Sequence, residues 1–245
     1  MERDANTGIL KIDQNRLTDR LIETLGMYIG TVNAKATPAQ HDHLVKDLEG
    51  QVARGNFNYA SVVGMVLYLS GHLCPDIAYA MNCCARYMLY PIQSHKEALT
   101  RIGRYLKTAR ERGLILDLKL AKNSMADVLQ LDLYPDTGFS GTYGYKTPND
   151  PASVKSRTGF VITVTGCLGL WQSKLQNVTA LSTMEGETNS LAYCCRELFP
   201  TMDMVESLGS AVGLPVGKTT LKMSTQEDNV GALILALTLP PQHTP

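Results

Sequence analysis

The chain has 245 residues, 44% hydrophobic and 19% charged, with 23 basic and 23 acidic side chains and a formal net charge of zero. That length and apolar content suit one large or two ordinary globular domains. The balanced charge excludes a binder that works by bulk positive charge, so any hold on nucleic acid has to rest on a local patch.

Residues 1 to 40 open with a short strand, Gly8 to Ile12. A helix follows from Asn15 through Leu17, Leu21, Ile22 and Leu25, closed by Gly26. Thr37-Pro38 begins an irregular section reaching about Asn58. The His41-Asp42-His43 run inside it reads as a solvated loop, because no further ligand follows at a spacing that completes a metal site. Tyr59 to Leu69, YASVVGMVLYL, is apolar enough for a buried helix. Asp76 stands where it can cap the next helix, Ile77 to Tyr87, which Pro91 ends. A third helix, Ser94 to Arg112, carries Ala98, Leu99, Ile102, Tyr105 and Leu106 on one side. Its charged residues are mostly basic, and Arg101, Arg104 and Arg112 fall within one arc of about 80° at 100° per residue. That face reads either as an ordinary solvated surface or as one that tracks phosphates, with Arg101, Arg104 and Lys107 in contact.

The pattern changes after Gly113. A strand, Leu114 to Leu116, and the polar stretch Lys119 to Ala126 make the expected boundary, giving domains of residues 1–120 and 121–245. Beyond it, Val128 to Tyr134 alternates apolar and polar residues and ends at Pro135-Asp136. Gly159 to Thr165 and Cys167 to Trp171 supply two further strands with short turns. A helix from Thr183 to about Leu208, bent at Pro200, comes next. Thr219 to Ser224 reads as a fourth strand, and Asp228-Asn229 opens an apolar helix that Pro240-Pro241 stops. The β-β-β-α-β-α order makes an α+β domain with a mixed sheet. The three early strands should be antiparallel neighbours, and the fourth should join parallel to the first.

The start of the long helix carries the chemistry. Ser182-Thr183-Met184-Glu185 has the form of a capping box, in which Ser182 accepts from the N–H of Glu185 and Glu185 reaches back to the N–H of Ser182. Glu187 has no such task. Steps of four, seven and eleven from it reach Leu191, Cys194 and Leu198, so it heads the apolar stripe, and a carboxylate there is costly to bury without a partner or a cation. Six cysteines, Cys74, Cys83, Cys84, Cys167, Cys194 and Cys195, make no C-x-x-C spacing and read as reduced thiols. No run approaches the ~20 apolar residues of a membrane span.

Asp136, Glu187 and Asp228 then stand at a strand exit, a helix start and a strand–helix junction. Hard oxygen ligands of this kind suit Mg²⁺. Each has a plain structural alternative: a turn for Asp136, an N-cap for Asp228, a buried ion pair for Glu187. Four stretches decide for the chemical reading. YASVVGMVLYLSGHLCPDIAYAMN through RIGRYLK, then LYPDTGFSG, then SVKSRTGF through WQSKLQ to ALSTMEGET, and finally QEDNVGALILA, occur in one order. Together they resemble the C-terminal part of the polyprotein of copia-type retrotransposons, the end of the reverse transcriptase followed by its ribonuclease H domain.

The resemblance implies a ribonuclease H-like, five-stranded-type mixed sheet with flanking helices, truncated at the C-terminus, preceded by a mainly helical thumb or connection segment. It implies Asp136, Glu187 and Asp228 as catalytic and metal-binding residues, using two Mg²⁺ (or Mn²⁺) ions to hydrolyse the RNA strand of an RNA–DNA hybrid. It also implies as partners the hybrid and the rest of the polyprotein, polymerase palm and integrase, with no membrane and an intracellular setting (cytoplasm, virus-like particle or nucleus). The alternative is a catalytically inactive remnant that keeps the fold and binds nucleic acid. Four positions depart from the family pattern. Gly138 replaces an Asp, Phe139 a Trp, Cys74 an Arg and Thr188 a Tyr. The polymerase carboxylates are missing, so this chain is not expected to polymerise DNA. The three acids are expected to converge, with Glu185 outside as a cap.

Overall fold

The computed structural model describes residues 1–27, 33–40, 43–46, 50–53, 57–117, 129–144, 150–213 and 221–238. The chain divides into two units, Met1–Asp117 with Thr142–Ser153, and Leu118–Gly141 with Val154–Pro245. Several expectations fall outside the described residues: the boundary between 120 and 121, His41 and Asp42, Val128, Thr219 and Pro240-Pro241.

The first unit is built on helices α1 (Asn15–Thr24), α2 (Tyr59–His72), α3 (Ala78–Ala85) and α4 (Gln93–Ala109). Asn58 caps α2 by accepting from the Ser61 N–H at 3.0 Å. Leu21 of α1, Val62, Val66 and Leu69 of α2, Met81 of α3, and Leu99 and Ile102 of α4 meet in one core, each almost fully buried. Burial of such side chains stabilises by roughly 1.5–3 kcal/mol each before chain entropy is counted. Asp76 does not cap a helix. It lies in a 3₁₀ turn, Pro75–Ile77, and accepts from the Tyr105 hydroxyl.

The two strands expected in this unit meet in one sheet: β1 (Glu2–Arg3), β2 (Leu10–Ile12) and β3 (Leu114–Leu116) are antiparallel with β2 in the middle. Lys11 stands opposite Ile115, a pairing that no local pattern announces. Helix α4 stops at Ala109, not Arg112, because a turn closes there with Arg112 N–H on the Ala109 carbonyl at 2.9 Å, and Gly113 follows at φ 59°.

The second unit is a four-stranded sheet among the described residues, not the five-stranded type expected. Its order is β6 (Cys167–Leu175), β5 (Arg157–Val164), β4 (Leu129–Gly138), β7 (Leu221–Thr225). The pairs β4–β5 and β5–β6 are antiparallel, and β4–β7 is parallel. This is the mixed α+β arrangement expected from the element order. Strand β4 runs past the expected stop, through Pro135 to Gly138. The Leu133 carbonyl faces β7 and accepts from the Gln226 N–H at 2.8 Å. Pro135, two residues on, therefore has its missing donor on that same side, beyond the Leu133–Thr225 pair where β7 stops. A proline is tolerated there because no ladder bond is lost.

Helix α5 (Thr183–Ala211) continues through Pro200 and lays Cys194 and Leu198 on Leu131, Leu133, Phe160 and Ile162. A short helix, α6 (Val230–Leu237), follows β7 and buries only Ala232 among its described residues. No helix among the described residues is long and apolar enough to cross a membrane.

Candidate active site

The two glutamates at the head of α5 divide as their spacing suggests. Ser182 Oγ accepts from the Glu185 N–H at 3.1 Å. Glu185 Oε2 accepts from the N–H of Leu181 at 2.8 Å, one residue before the donor expected. Glu185 is thus occupied with the helix end. Glu187 is only 9% exposed, and its Oε2 is buried with no hydrogen-bond partner.

Gly186 allows this placement. A Cβ on it would lie 3.1 Å from Thr137 Cγ2, so the glycine lets the first turn of α5 lie close against β4 without crowding that methyl. The Gly186 carbonyl accepts from Thr137 Oγ1 at 3.1 Å and from Gln176 Nε2 at 2.9 Å. Ser190 Oγ, one helical turn on, donates to the Asp136 carbonyl at 3.0 Å. Because the Thr137 hydroxyl donates to Gly186, it offers Glu187 only a competing bond. Burial pushes the Glu187 carboxyl above its ordinary value, Thr137 opposes the shift, and the negative charges of Glu227, Asp136 and Asp228 add to it.

Asp136 lies on β4 opposite Gly159, in the exposed set of the alternation with Tyr134 and Gly138, while Leu131, Leu133 and Pro135 form the buried set. Asp228 is exposed just before α6. Asn229, not Asp228, is the N-cap, accepting from the Ala232 N–H at 3.0 Å. Thus the charges of Asp136 and Asp228 reach Glu187, but their carboxylates are not buried beside it.

Glu227 was not singled out in the sequence. Its Oε1 accepts from the Asn229 N–H at 3.0 Å, and its Oε2 is buried with no partner. Burial raises its carboxyl above the ordinary value, the Asn229 bond opposes, and Asp228 and Asp136 add to the rise. The adjacent acids in Gln226-Glu227-Asp228-Asn229 were the available signal. Motif matching selects only the second of them.

Among the described residues, no group of three or more His, Cys, Asp or Glu is gathered to hold a metal ion. The donor chemistry nonetheless fits a hard divalent cation. Two carboxylate oxygens, on Glu187 and Glu227, are buried without a partner, and Mg²⁺ characteristically takes one or two carboxylates and keeps several waters.

In the first unit, the basic side chains on and just after α4 are partly committed. Arg101 donates to the Thr37 carbonyl at 3.1 Å and to Thr37 Oγ1 at 2.9 Å. Arg110 grips Asp19 with two bonds of 2.6 and 2.7 Å, and Arg112 bonds the Tyr105 hydroxyl at 3.1 Å. Arg104 differs: its Nε is buried without a partner. Arg101 and Arg104, with Lys35, Gln40, Glu97 and Thr100, line a cavity of about 360 Å³. Lys107 is half-buried on the same helix. All six cysteines are free thiols.

The chain is 31% identical over 217 residues, 84% of its length, to the retrovirus-related Pol polyprotein from transposon TNT 1-94 of Nicotiana tabacum. It is 27% identical over 206 residues to the corresponding polyprotein from transposon RE2 of Arabidopsis thaliana. The chain belongs to the Pol polyproteins of copia-type retrotransposons. It spans 15% of the tobacco polyprotein and 13% of the RE2 one. It is also 30% identical over 142 residues, 58% of its length, to the secreted RxLR effector protein 161 of Plasmopara viticola, of which it covers 89%. No family model and no solved structure matches the chain.

Proposed function

We propose that this polyprotein segment is the end of a reverse transcriptase joined to a ribonuclease H-like domain that hydrolyses the RNA strand of an RNA–DNA hybrid. The carrying observation is Glu187: a buried carboxylate with an unpartnered oxygen, at the head of α5, within reach of the charges of Asp136, Glu227 and Asp228. A protein interior keeps such a group at a cost in stability, and functional sites are where that cost recurs. On this reading Asp136, Glu187 and Asp228 hold Mg²⁺ or Mn²⁺. When bound, that cation supplies Lewis acidity at the scissile phosphate and at the attacking water.

The chain's own residues do the rest. Gly186 and Thr137 fix the first turn of α5 on β4, so Glu187 is held in place before any ligand arrives. The exposed Asp136 and Asp228 offer their carboxylates on the accessible side. Arg104, Arg101 and Lys107 of the first unit are the proposed phosphate contacts. The proposed partners are the hybrid and the remaining polymerase and integrase parts of the polyprotein, in an intracellular setting.

One observation favours the second reading, an inactive remnant that binds nucleic acid: the absence of a gathered three-ligand group among the described residues. A cleavage assay with a labelled RNA strand separates the two. The nuclease reading expects Mg²⁺-dependent cutting of the hybrid, stopped by chelator and lowered by about a hundredfold or more in Asp136→Asn. Binding of the hybrid without cutting would establish the remnant reading instead.

A further inference from the structure

We infer that Glu227 is a ligand of the same divalent cation as Glu187, so that the site is closed by the acid one residue before the one the motif designates. This rests on the cation-site reading above and adds a residue to it. Helix α6 packs on α5. A Cβ on Gly231 would lie 3.0 Å from Met184 Sδ and 3.2 Å from Met184 Cγ, so the first turn of α6 meets the first turn of α5 in direct contact. That contact brings the chain leading into α6 alongside the start of α5, where Glu187 sits.

On that chain Glu227 and Asp228 differ. Asp228 is exposed, whereas Glu227 is half-buried and turns one oxygen to the backbone, where Oε1 accepts from Asn229. Its other oxygen, Oε2, is buried with no partner, as is Glu187 Oε2. A plain cap accounts for Oε1 alone. It leaves Oε2 unexplained, and a buried carboxylate oxygen without a donor is expensive. A hard cation satisfies both unpartnered oxygens at once, with water completing its shell. Fixing Oε1 to the backbone further orients Oε2, the role that outer hydrogen bonds play at metal sites.

The test is Mn²⁺ binding to the full chain, read from the electron paramagnetic resonance signal of free Mn²⁺, for the unchanged protein, Glu227→Gln, Glu187→Gln and Asp228→Asn. Gln at 227 keeps an oxygen for the Asn229 N–H, and circular dichroism melting without metal checks that each variant folds. The expectation is an affinity loss of about tenfold or more in Glu227→Gln, similar to Glu187→Gln and larger than in Asp228→Asn. Unchanged affinity in Glu227→Gln, with Glu187→Gln weakened, overturns the role of Glu227 and leaves the cation site standing. No Mn²⁺ binding by the unchanged protein overturns both.

Discussion

Each unit buries polar side chains, and one pair of them, His95 and Glu187, is treated in opposite ways. In the first, His95 is 1% exposed and fully engaged. Its Nδ1 accepts from the Ile92 N–H at 3.2 Å, its Nε2 meets the Val45 carbonyl at 2.9 Å, and its ring stacks on Tyr87 with centroids 3.8 Å apart. That pattern requires the neutral ring with its proton on Nε2. Beside it Lys96, 6% exposed, sets its ammonium 4.4 Å from the centre of the Phe57 ring. In the second unit, Glu187 is buried too, yet one oxygen has no partner and the neighbouring charges share its sign. Burial alone therefore does not mark a site. Burial without a partner, among like charges, separates a group that holds the fold together from one that waits for a ligand.

The contrast is sharpest at His95. His95→Ala should cost about 2–4 kcal/mol, because it empties a core position and strands two backbone groups. Urea unfolding measures it, and a loss under 1 kcal/mol would mean the ring is not the matched group described. The cap of α5 comes next: Ser182→Ala should cost about 1 kcal/mol and, by loosening the first turn, lower cleavage as well. Unaltered unfolding would show that the helix start is held by Gly186 and Gln176 instead.

The basic helix offers a comparison within one unit. Arg104→Gln should flatten the dependence of log K on log salt for hybrid binding by about one, the loss of a single phosphate contact. Arg110→Gln should leave the slope alone, since Asp19 already neutralises that charge. Equal slopes for both variants would remove Arg104 from the interface. Smallest of all, Glu185→Gln should change stability and cleavage by only a few tenths of a kcal/mol, because Gln still completes the cap. A large loss of activity there would reverse the roles given to the two glutamates.

Much of this was legible in the residues, and the rest shows where local pattern ends. Alternation in LQLDLY, short turns and one helical crossover were enough for the order and sense of β4 to β7. The i, i+4, i+7 count from Glu187 put it on the buried face because the apolar stripe of α5 is regular there. Three things were not readable. The β2–β3 pair joins residues a hundred positions apart, and three-residue strands carry no periodicity. The passage of β4 through Pro135 depends on where β7 ends, which is a tertiary fact. The burial of Glu227 Oε2 is a tertiary fact, so a motif that names Asp228 cannot reveal it.

The central claim is that Glu187 is kept at a cost to stability. It is tested most directly by melting the metal-free protein and Glu187→Gln between about pH 4 and 8. The folded-state pKa of Glu187 is raised above the ordinary 4.5. Its burial therefore carries no penalty below that ordinary value, and the penalty grows as pH rises through the raised one. The account predicts that Glu187→Gln melts at or above the unchanged protein at neutral pH, with the difference shrinking toward pH 4.5. A variant that melts well below the unchanged protein at neutral pH, by a margin that acid does not close, would show that the Glu187 carboxylate is a matched structural group, and would contradict the account.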